Sequence, residues 1–270
     1  MRAGRPLPVC LSIAGSDSGG GAGIQADLKA FAAARVHGTT AITAITAQNT
    51  IAVTAVEAVS PRMIVAQVRA VVEDLGVDAV KVGMLGSVAT AEAVGTALEL
   101  LPAGTPVVVD PVMVAESGAR LLDLDAQRAL VDVVLARATV ATPNVPEARV
   151  LAGDNDGVRT PAELAAAIRA LGPGAVVVTG GHRKAAVDVL DDGGHVVELP
   201  GERFADGAAH GSGCTHSSTL AAHLARGATV EQAARAAKEA AAAAVRDGLR
   251  GLGHGAGPVD VLGLTRPVAR

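Results

Sequence analysis

The chain of 270 residues has no Trp, no Tyr and only two Phe. Without aromatic platforms, the base stacking that single-stranded nucleic-acid binders rely on is excluded. An excess of one charge is also missing. Lys and Arg number 23 against 27 Asp and Glu, a formal net charge of −4, so no basic field points to nucleic acid or an anionic membrane. Two cysteines, Cys10 and Cys214, with no CxxC pair support neither a disulfide framework nor a zinc ribbon. No run is apolar enough for a membrane span. No Gly-Lys-Ser/Thr occurs, which removes a P-loop, and Ile24 breaks the dinucleotide fingerprint that residues 19–23 begin. What remains is half apolar, rich in Ala, Val, Leu and Ile, and 19% charged, which excludes a disordered chain. A cytoplasmic protein of a reducing compartment is expected.

Apolar β-type runs at residues 9–14, 40–46, 53–59, 79–82, 107–110, 139–141 and 175–178 alternate with helical patterns. Continuous Val/Ile/Ala runs suit parallel strands buried on both faces. The opening MRAGRPLPVCLSIAG is read as such a strand, not as a signal peptide or lipid anchor. Its apolar run is short, and a glycine-rich loop follows at once. Helix starts are marked by Ser60-Pro61, by Thr160-Pro161-Ala162-Glu163 and by Thr229-Val230-Glu231-Gln232. The last opens an Ala-rich helix to about residue 249. Asp191-Asp192-Gly193-Gly194 splits a hairpin over 185–190 and 195–199. The pattern predicts one domain over 1–270, of the α/β class: a three-layer fold whose mostly parallel central sheet carries helices on both faces.

Ligands of such sheets sit beyond the carboxyl ends of the strands. Every unusual polar or glycine-rich segment falls there: the loop from Gly15 to Gly23, Gln48-Asn49, Gly83-Met84-Leu85, Asp110-Pro111-Val112-Met113, the segment from Thr142 to Glu147, and Thr179-Gly180-Gly181-His182. In AHGSGCTHSS, Gly211-Ser212-Gly213 precede a helix and can cradle an anion on free N–H groups. Donors from Gly211 to Cys214 suit the charge that spreads over a phosphoryl group in transfer. Cys214, at a helix N-terminus, is expected to have a lowered pKa and to act as general base. Asp110, Asn144 and Glu147 can hold magnesium, directly or through water.

Each motif has a plainer reading. Cys214 fits a small buried hydrophobe. Gln48, Asn49 and Asp110 fit turns. Asn144 and Glu147 fit an N-cap and a first-turn acid. Met84 fits the core, Asp27 a solvent-facing helix position, and residues 19–23 either a connector or a mobile lid. His210, Cys214, His216 and His223 are close in sequence but lack the second cysteine pair of a usual zinc site. DSGG from Asp17 matches a serine-protease tetrapeptide, yet here it joins a strand to a helix.

The segments LSIAGSDSGGGAGIQADLKAF, TAQNT, VKVGML, DPVMVAESGARLL, TPNVPEA, GGH and HGSGCT, in this order along nearly the whole chain, resemble the hydroxymethylpyrimidine/phosphomethylpyrimidine kinases of thiamine biosynthesis, within the ribokinase-like fold. The resemblance implies phosphorylation of 4-amino-5-hydroxymethyl-2-methylpyrimidine by MgATP, then of its monophosphate. It implies Cys214 as the base where ribokinase-like sugar kinases carry Asp. It implies that Gln48, whose amide both donates and accepts, reads the aminopyrimidine. Gly15, Asp27, Met84 and Val112 would line the pyrimidine pocket, Asn144, Thr179 and Gly181 would meet the nucleotide, and Asp110 and Glu147 the metal. A homodimer is also implied. Glu116 and Thr179 stand where this family often has Lys, leaving Lys81 or Arg120 to neutralise the nucleotide phosphates. Alternatives are a pyridoxal or pyridoxine kinase of the same fold and a non-catalytic pyrimidine sensor.

Overall fold

The computed structural model describes residues 5–113, 122, 124–181, 186–204 and 207–266. Glu116, Arg120 and His182 lie outside the described residues. The strands are β1 Val9–Asp17, β2 His37–Gln48, β3 Val53–Ala58, β4 Ala79–Val82, β5 Val107–Val109, β6 Val140–Ala141, β7 Ala175–Val178, β8 Asp188–Asp191 and β9 Val196–Leu199. The helices are α1 Gly23–Ala33, α2 Pro61–Asp74, α3 Val88–Leu98, α4 Leu124–Ala129, α5 Val145–Ala152, α6 Pro161–Arg169, α7 Ser212–Ala225 and α8 Val230–Arg246. The strands form one sheet in the order β3-β2-β1-β4-β5-β6-β7-β8-β9. β2, β1, β4, β5, β6 and β7 run parallel, while β3, β8 and β9 join antiparallel at the two edges. The chain leaves β1 for β2 and β3, then returns to β4 on the other side. Strand order therefore reverses between β1 and β4, and that is where such sheets open a crevice.

The expected architecture forms because the apolar runs are buried on both faces. Alternate residues point to opposite sides. Leu11, Ile13, Val80, Val82, Val107 and Val109 pack with Ile64 and Val68 of α2, Val94 of α3 and Ile168 of α6. Cys10, Ala79, Val108, Val140 and Val177 face the other way, against Phe31 of α1, Leu220 of α7 and the alanines of α8. Burying one such Val or Leu stabilises the fold by roughly 1.5–3 kcal/mol. Two polar strand residues, Ser12 and Lys81, fall on this second face and are fully buried.

β1 and β2 run further than expected, to Asp17 and Gln48, because their ladder continues past a bulge between Ala14 and Ser16 and pairs Asp17 with Thr46. The capping boxes at Thr160 and Thr229 form as read. Ser60 precedes Pro61 as an N-cap, but its hydroxyl caps nothing. α8 ends at Arg246, short of residue 249, and a Cβ on Gly248 would lie 2.6 Å from Ala208 Cβ, so the chain turns here against the strap before α7.

Candidate active site

A cleft of about 480 Å³ opens at the carboxyl ends of the strands around the point of reversal. Gly15 and Met84 meet on its wall. A Cβ on Gly15 would lie 2.4 Å from Met84 Cε, so glycine is what leaves the methionine its place. Gln48 lines the same cleft, and its Oε1 accepts from Thr46 Oγ1 at 3.3 Å. Val112 and Phe204 are also on the wall, the latter with Val245 of α8.

Asp27 does not reach that wall and is corrected as a substrate contact. It is fully buried on α1, where Lys81 Nζ lies 2.9 Å from Oδ1. Ser12 Oγ donates to Oδ2 at 2.5 Å and Ser218 Oγ to Oδ1 at 2.7 Å. A carboxylate engaged by three side chains below the floor has nothing left for a ligand. Lys81 borders the cleft, and its ammonium group is committed to this pair. Burial opposes its charge, but Asp27 first, then Cys214 and Asp110, hold its pKa well above the ordinary lysine value.

The cradle is narrower than expected. Gly211 has φ +84°, and a Cβ there would sit 1.8 Å from the Gly21 carbonyl oxygen. Ser212 N–H is donated to the Ala209 carbonyl at 3.0 Å, and Thr215 N–H to the Gly211 carbonyl at 2.9 Å. Ser212 therefore drops out as a backbone donor. The N–H groups of Gly213 and Cys214 have no partner among the described residues and carry the positive end of α7.

Cys214 is half-buried at the lip, with the Gly23 N–H on its sulfur. Burial pushes the thiol up to about 12; Lys81 pulls it down, and Asp27 and Asp110 push it up again. The expected lowered pKa is thus corrected: in the ligand-free protein the thiol keeps its proton.

The capping reading of Asn144 and Glu147 holds. Glu147 N–H donates to Asn144 Oδ1 at 2.9 Å and Asn144 N–H to Glu147 Oε2 at 3.0 Å, closing a capping box on α5. Both residues also line the cleft, with Asp110. Burial, then the charge of Asp110, pushes Glu147 up to about 8. Asp110 is raised by burial too, against the pull of Lys81 and of Ser217, whose Oγ donates to Oδ2 at 2.9 Å. Two crowded carboxylates whose charges penalise each other are a donor set that fits a hard cation such as magnesium.

Thr179 is bridged to Asn144, with its N–H on the Pro143 carbonyl at 2.9 Å, and Gly181 stands at the rim. Asp188 and Lys238, also on the wall, were missed in the sequence, and His216 beside them was weighed only as a zinc ligand. Asp188 Oδ1 accepts from Gly180 N–H at 2.8 Å and lies 2.6 Å from Lys238 Nζ. His216 Nε2 is 3.4 Å from Oδ2 but poorly aligned for a hydrogen bond. Burial works against the Asp188 charge, and His216, Lys238 and Gly180 outweigh it, holding the pKa below its ordinary value. These partners lie far apart in sequence, so no local pattern marks them.

Free N–H groups opposite wall carboxylates are what a travelling phosphoryl group requires, and the sheet behind them is open and parallel. Fold and cleft together define a small-molecule kinase of the ribokinase-like class. The chain belongs to the phosphomethylpyrimidine kinase family, whose model matches residues 17–260. It is 49% identical, over 93% of its length and 96% of the relative's, to the hydroxymethylpyrimidine/phosphomethylpyrimidine kinase of Rhizobium meliloti. Among solved structures it resembles the ADP complex of Bacillus subtilis pyridoxal kinase, with TM-score 0.85 and 38% identity over 96% of this chain and 99% of that one. It also resembles the phosphomethylpyrimidine kinase of Clostridium difficile, with TM-score 0.74 and 38% identity over 86% and 96%.

Proposed function

We propose that this chain, acting as one catalytic domain in the cytoplasm, transfers phosphate from ATP to 4-amino-5-hydroxymethyl-2-methylpyrimidine and then to its monophosphate, in thiamine biosynthesis. The observation that carries this reading is that Gln48, Gly15 and Met84 share one cleft with the N–H cradle of Gly213 and Cys214. The name of the Rhizobium relative supports the substrate, and the ADP complex of the Bacillus neighbour supports the donor. Asn144, Thr179 and Gly181, which border the cleft, would meet the nucleotide. Asp110 and Glu147 would hold Mg²⁺, which when bound supplies charge neutralisation to phosphate oxygens.

The chain's own residues do the rest. Gln48 offers a donor and an acceptor to the ring. The two cradle N–H groups face the negative charge of the transferred group. Cys214 serves as base for the hydroxyl proton only after losing its own, and Lys81 beneath it favours that thiolate. Turnover should therefore climb with pH below about 12, because the thiolate fraction grows. Cys214→Ala should lower kcat by about 100-fold or more while the pyrimidine still binds. Unchanged kcat in that variant removes the base assignment.

The direct test is mass analysis of products from the purified protein, MgATP and the pyrimidine. Monophosphate followed by diphosphate is expected; no phosphorylated product, with pyridoxal also inert, leaves the sensor reading in its place. Likeness to a pyridoxal kinase keeps a second substrate in view. Comparing kcat/KM for pyridoxal and the pyrimidine decides between them. A homodimer is part of the proposal, supported by the apolar side chains Ile45, Ile51 and Val56, each more than half exposed on or beside the β2–β3 hairpin.

A further inference from the structure

β1 ends at Asp17, and the carboxylate there is engaged almost wholly by backbone. Gly19 N–H donates to Oδ1 at 2.8 Å, and Gly21 and Ala22 N–H donate to Oδ2 at 3.0 and 2.8 Å. His210 Nε2 also lies 3.0 Å from Oδ2. The Asp17 carbonyl accepts from Gly20 N–H at 2.9 Å, and Lys29 Nζ holds the Gly20 carbonyl at 2.7 Å. The loop expected as a connector or a mobile lid is wrapped around one buried side chain. Burial opposes the charge of Asp17, yet His210 and the loop N–H groups outweigh it and keep the carboxyl below its ordinary pKa.

His210 immediately precedes the cradle. Its own backbone is fixed on the far side, N–H to the Gly257 carbonyl at 3.3 Å and carbonyl to Val259 N–H at 3.0 Å. The glycines at this junction mark direct packing. A Cβ on Gly21 would fall 2.1 Å from His210 Cδ2, and one on Gly211 would fall 1.8 Å from the Gly21 carbonyl oxygen. The other end of the loop reaches the ring-reading residue: Ser18 Oγ donates to the Gln48 carbonyl at 2.7 Å and accepts Gln48 N–H at 2.8 Å. One continuous path thus runs from Gln48 through Ser18, Asp17 and His210 to Gly211.

We propose that His210, acting through Asp17, is a positioning residue that fixes the acceptor side of the cleft to the phosphoryl side and so couples nucleotide cleavage to the acceptor. The inference rests on the kinase reading above. In productive turnover the bond from the γ-phosphorus to the bridging oxygen of ADP breaks. A bond to the substrate hydroxyl oxygen forms, and the hydroxyl proton passes to the Cys214 thiolate. When the two sides drift, a water oxygen takes the place of the hydroxyl, and ADP with inorganic phosphate is released instead. A misplacement of about 1 Å is enough to cost about 100-fold in rate, so the tie decides which oxygen is in line.

The experiment measures ADP and phosphorylated pyrimidine in the same reaction, with KM for both substrates and a thermal melt, for wild type, His210→Ala and His210→Gln. Wild type should transfer one phosphoryl group per ADP released, each diphosphate counting as two product equivalents. His210→Ala should form product about 10- to 100-fold more slowly, with each KM within about threefold of wild type and several ADP released per product. His210→Gln, whose Nε2 puts a donor where the imidazole Nε2 stood, should recover most of the coupling. A merely structural role would lower the melting temperature and the active fraction but leave the ratio at one. A ratio of one in His210→Ala, or a folded His210→Gln as uncoupled as the alanine variant, overturns the proposal. If His210→Ala does not fold, His210→Asn, whose shorter side chain stops short of Asp17, answers the same question. A wild type that forms no phosphorylated product removes the kinase reading itself, and this inference with it.

Discussion

Glu147 does two jobs with one carboxyl group, closing the cap of α5 and facing Asp110 across the cleft. Its pKa in the folded chain, about 8, lies above its ordinary value of 4.5, so between these values the native protein holds a proton that the unfolded chain has lost. Stability from this group is therefore complete below about pH 4.5 and is lost as pH rises through 8. Urea melts of the ligand-free protein should show a falling midpoint across that window, and Glu147→Gln should flatten it. An equally steep fall in the variant would place the titrating group elsewhere. The sequence offered two roles for Asn144 and Glu147; the capping box forms, and the same two side chains also border the cleft where the ligand role is proposed. Asp27 went the other way. Nothing in its local sequence shows that Lys81, 54 positions later, turns it away from the cleft.

Between elements, that ion pair joins β4 to α1, with Ser12 of β1 and Ser218 of α7 closing the network. Lys81→Met strands a buried carboxylate and should destabilise the protein by about 3–5 kcal/mol in denaturant melts. Adding Asp27→Leu should restore a large part of that loss; a double variant as weak as the single would mean that the packing, not the charge, is what Lys81 provides. At the start of α7, Gly211→Ala meets a left-handed φ and the Gly21 carbonyl together. The backbone alone costs about 1–2 kcal/mol, and the clash adds to it, so the expected loss exceeds about 2 kcal/mol and activity should fall with it. Wild-type stability in Gly211→Ala would show that the loop yields freely. Helix starts were legible where a capping box stood, at Asn144, Thr160 and Thr229, because the signal is confined to four residues. The true extent of β1 and β2 was not, since a ladder that continues past a bulge is decided by the partner strand.

Across the whole molecule, the mostly parallel three-layer sheet and the edge on which the cleft opens followed from the alternation of apolar runs and helices, because a parallel sheet leaves few ways to connect them; the strand order did not. The cluster of Asp188, His216 and Lys238 did not, since three distant segments meet only after the sheet has formed. β3 lies at the sheet edge with most of its residues exposed, next to Ile45 of β2. If the proposed homodimer forms through this hairpin, wild type sediments as a dimer and Ile45→Lys as a monomer, while far-ultraviolet dichroism stays native. A variant that sediments as wild type would move the contact off this hairpin.

Of the two phenylalanines, Phe31 is sealed between α1 and the sheet while Phe204 stands on the cleft wall. With no indole or phenol anywhere in the chain, the protein is optically almost silent in the near ultraviolet. Bound pyrimidine and purine chromophores can therefore be watched directly by their own absorbance. A single Phe204→Trp exchange would place the only fluorophore at the mouth of the cleft, turning the molecule into its own background-free reporter of occupancy.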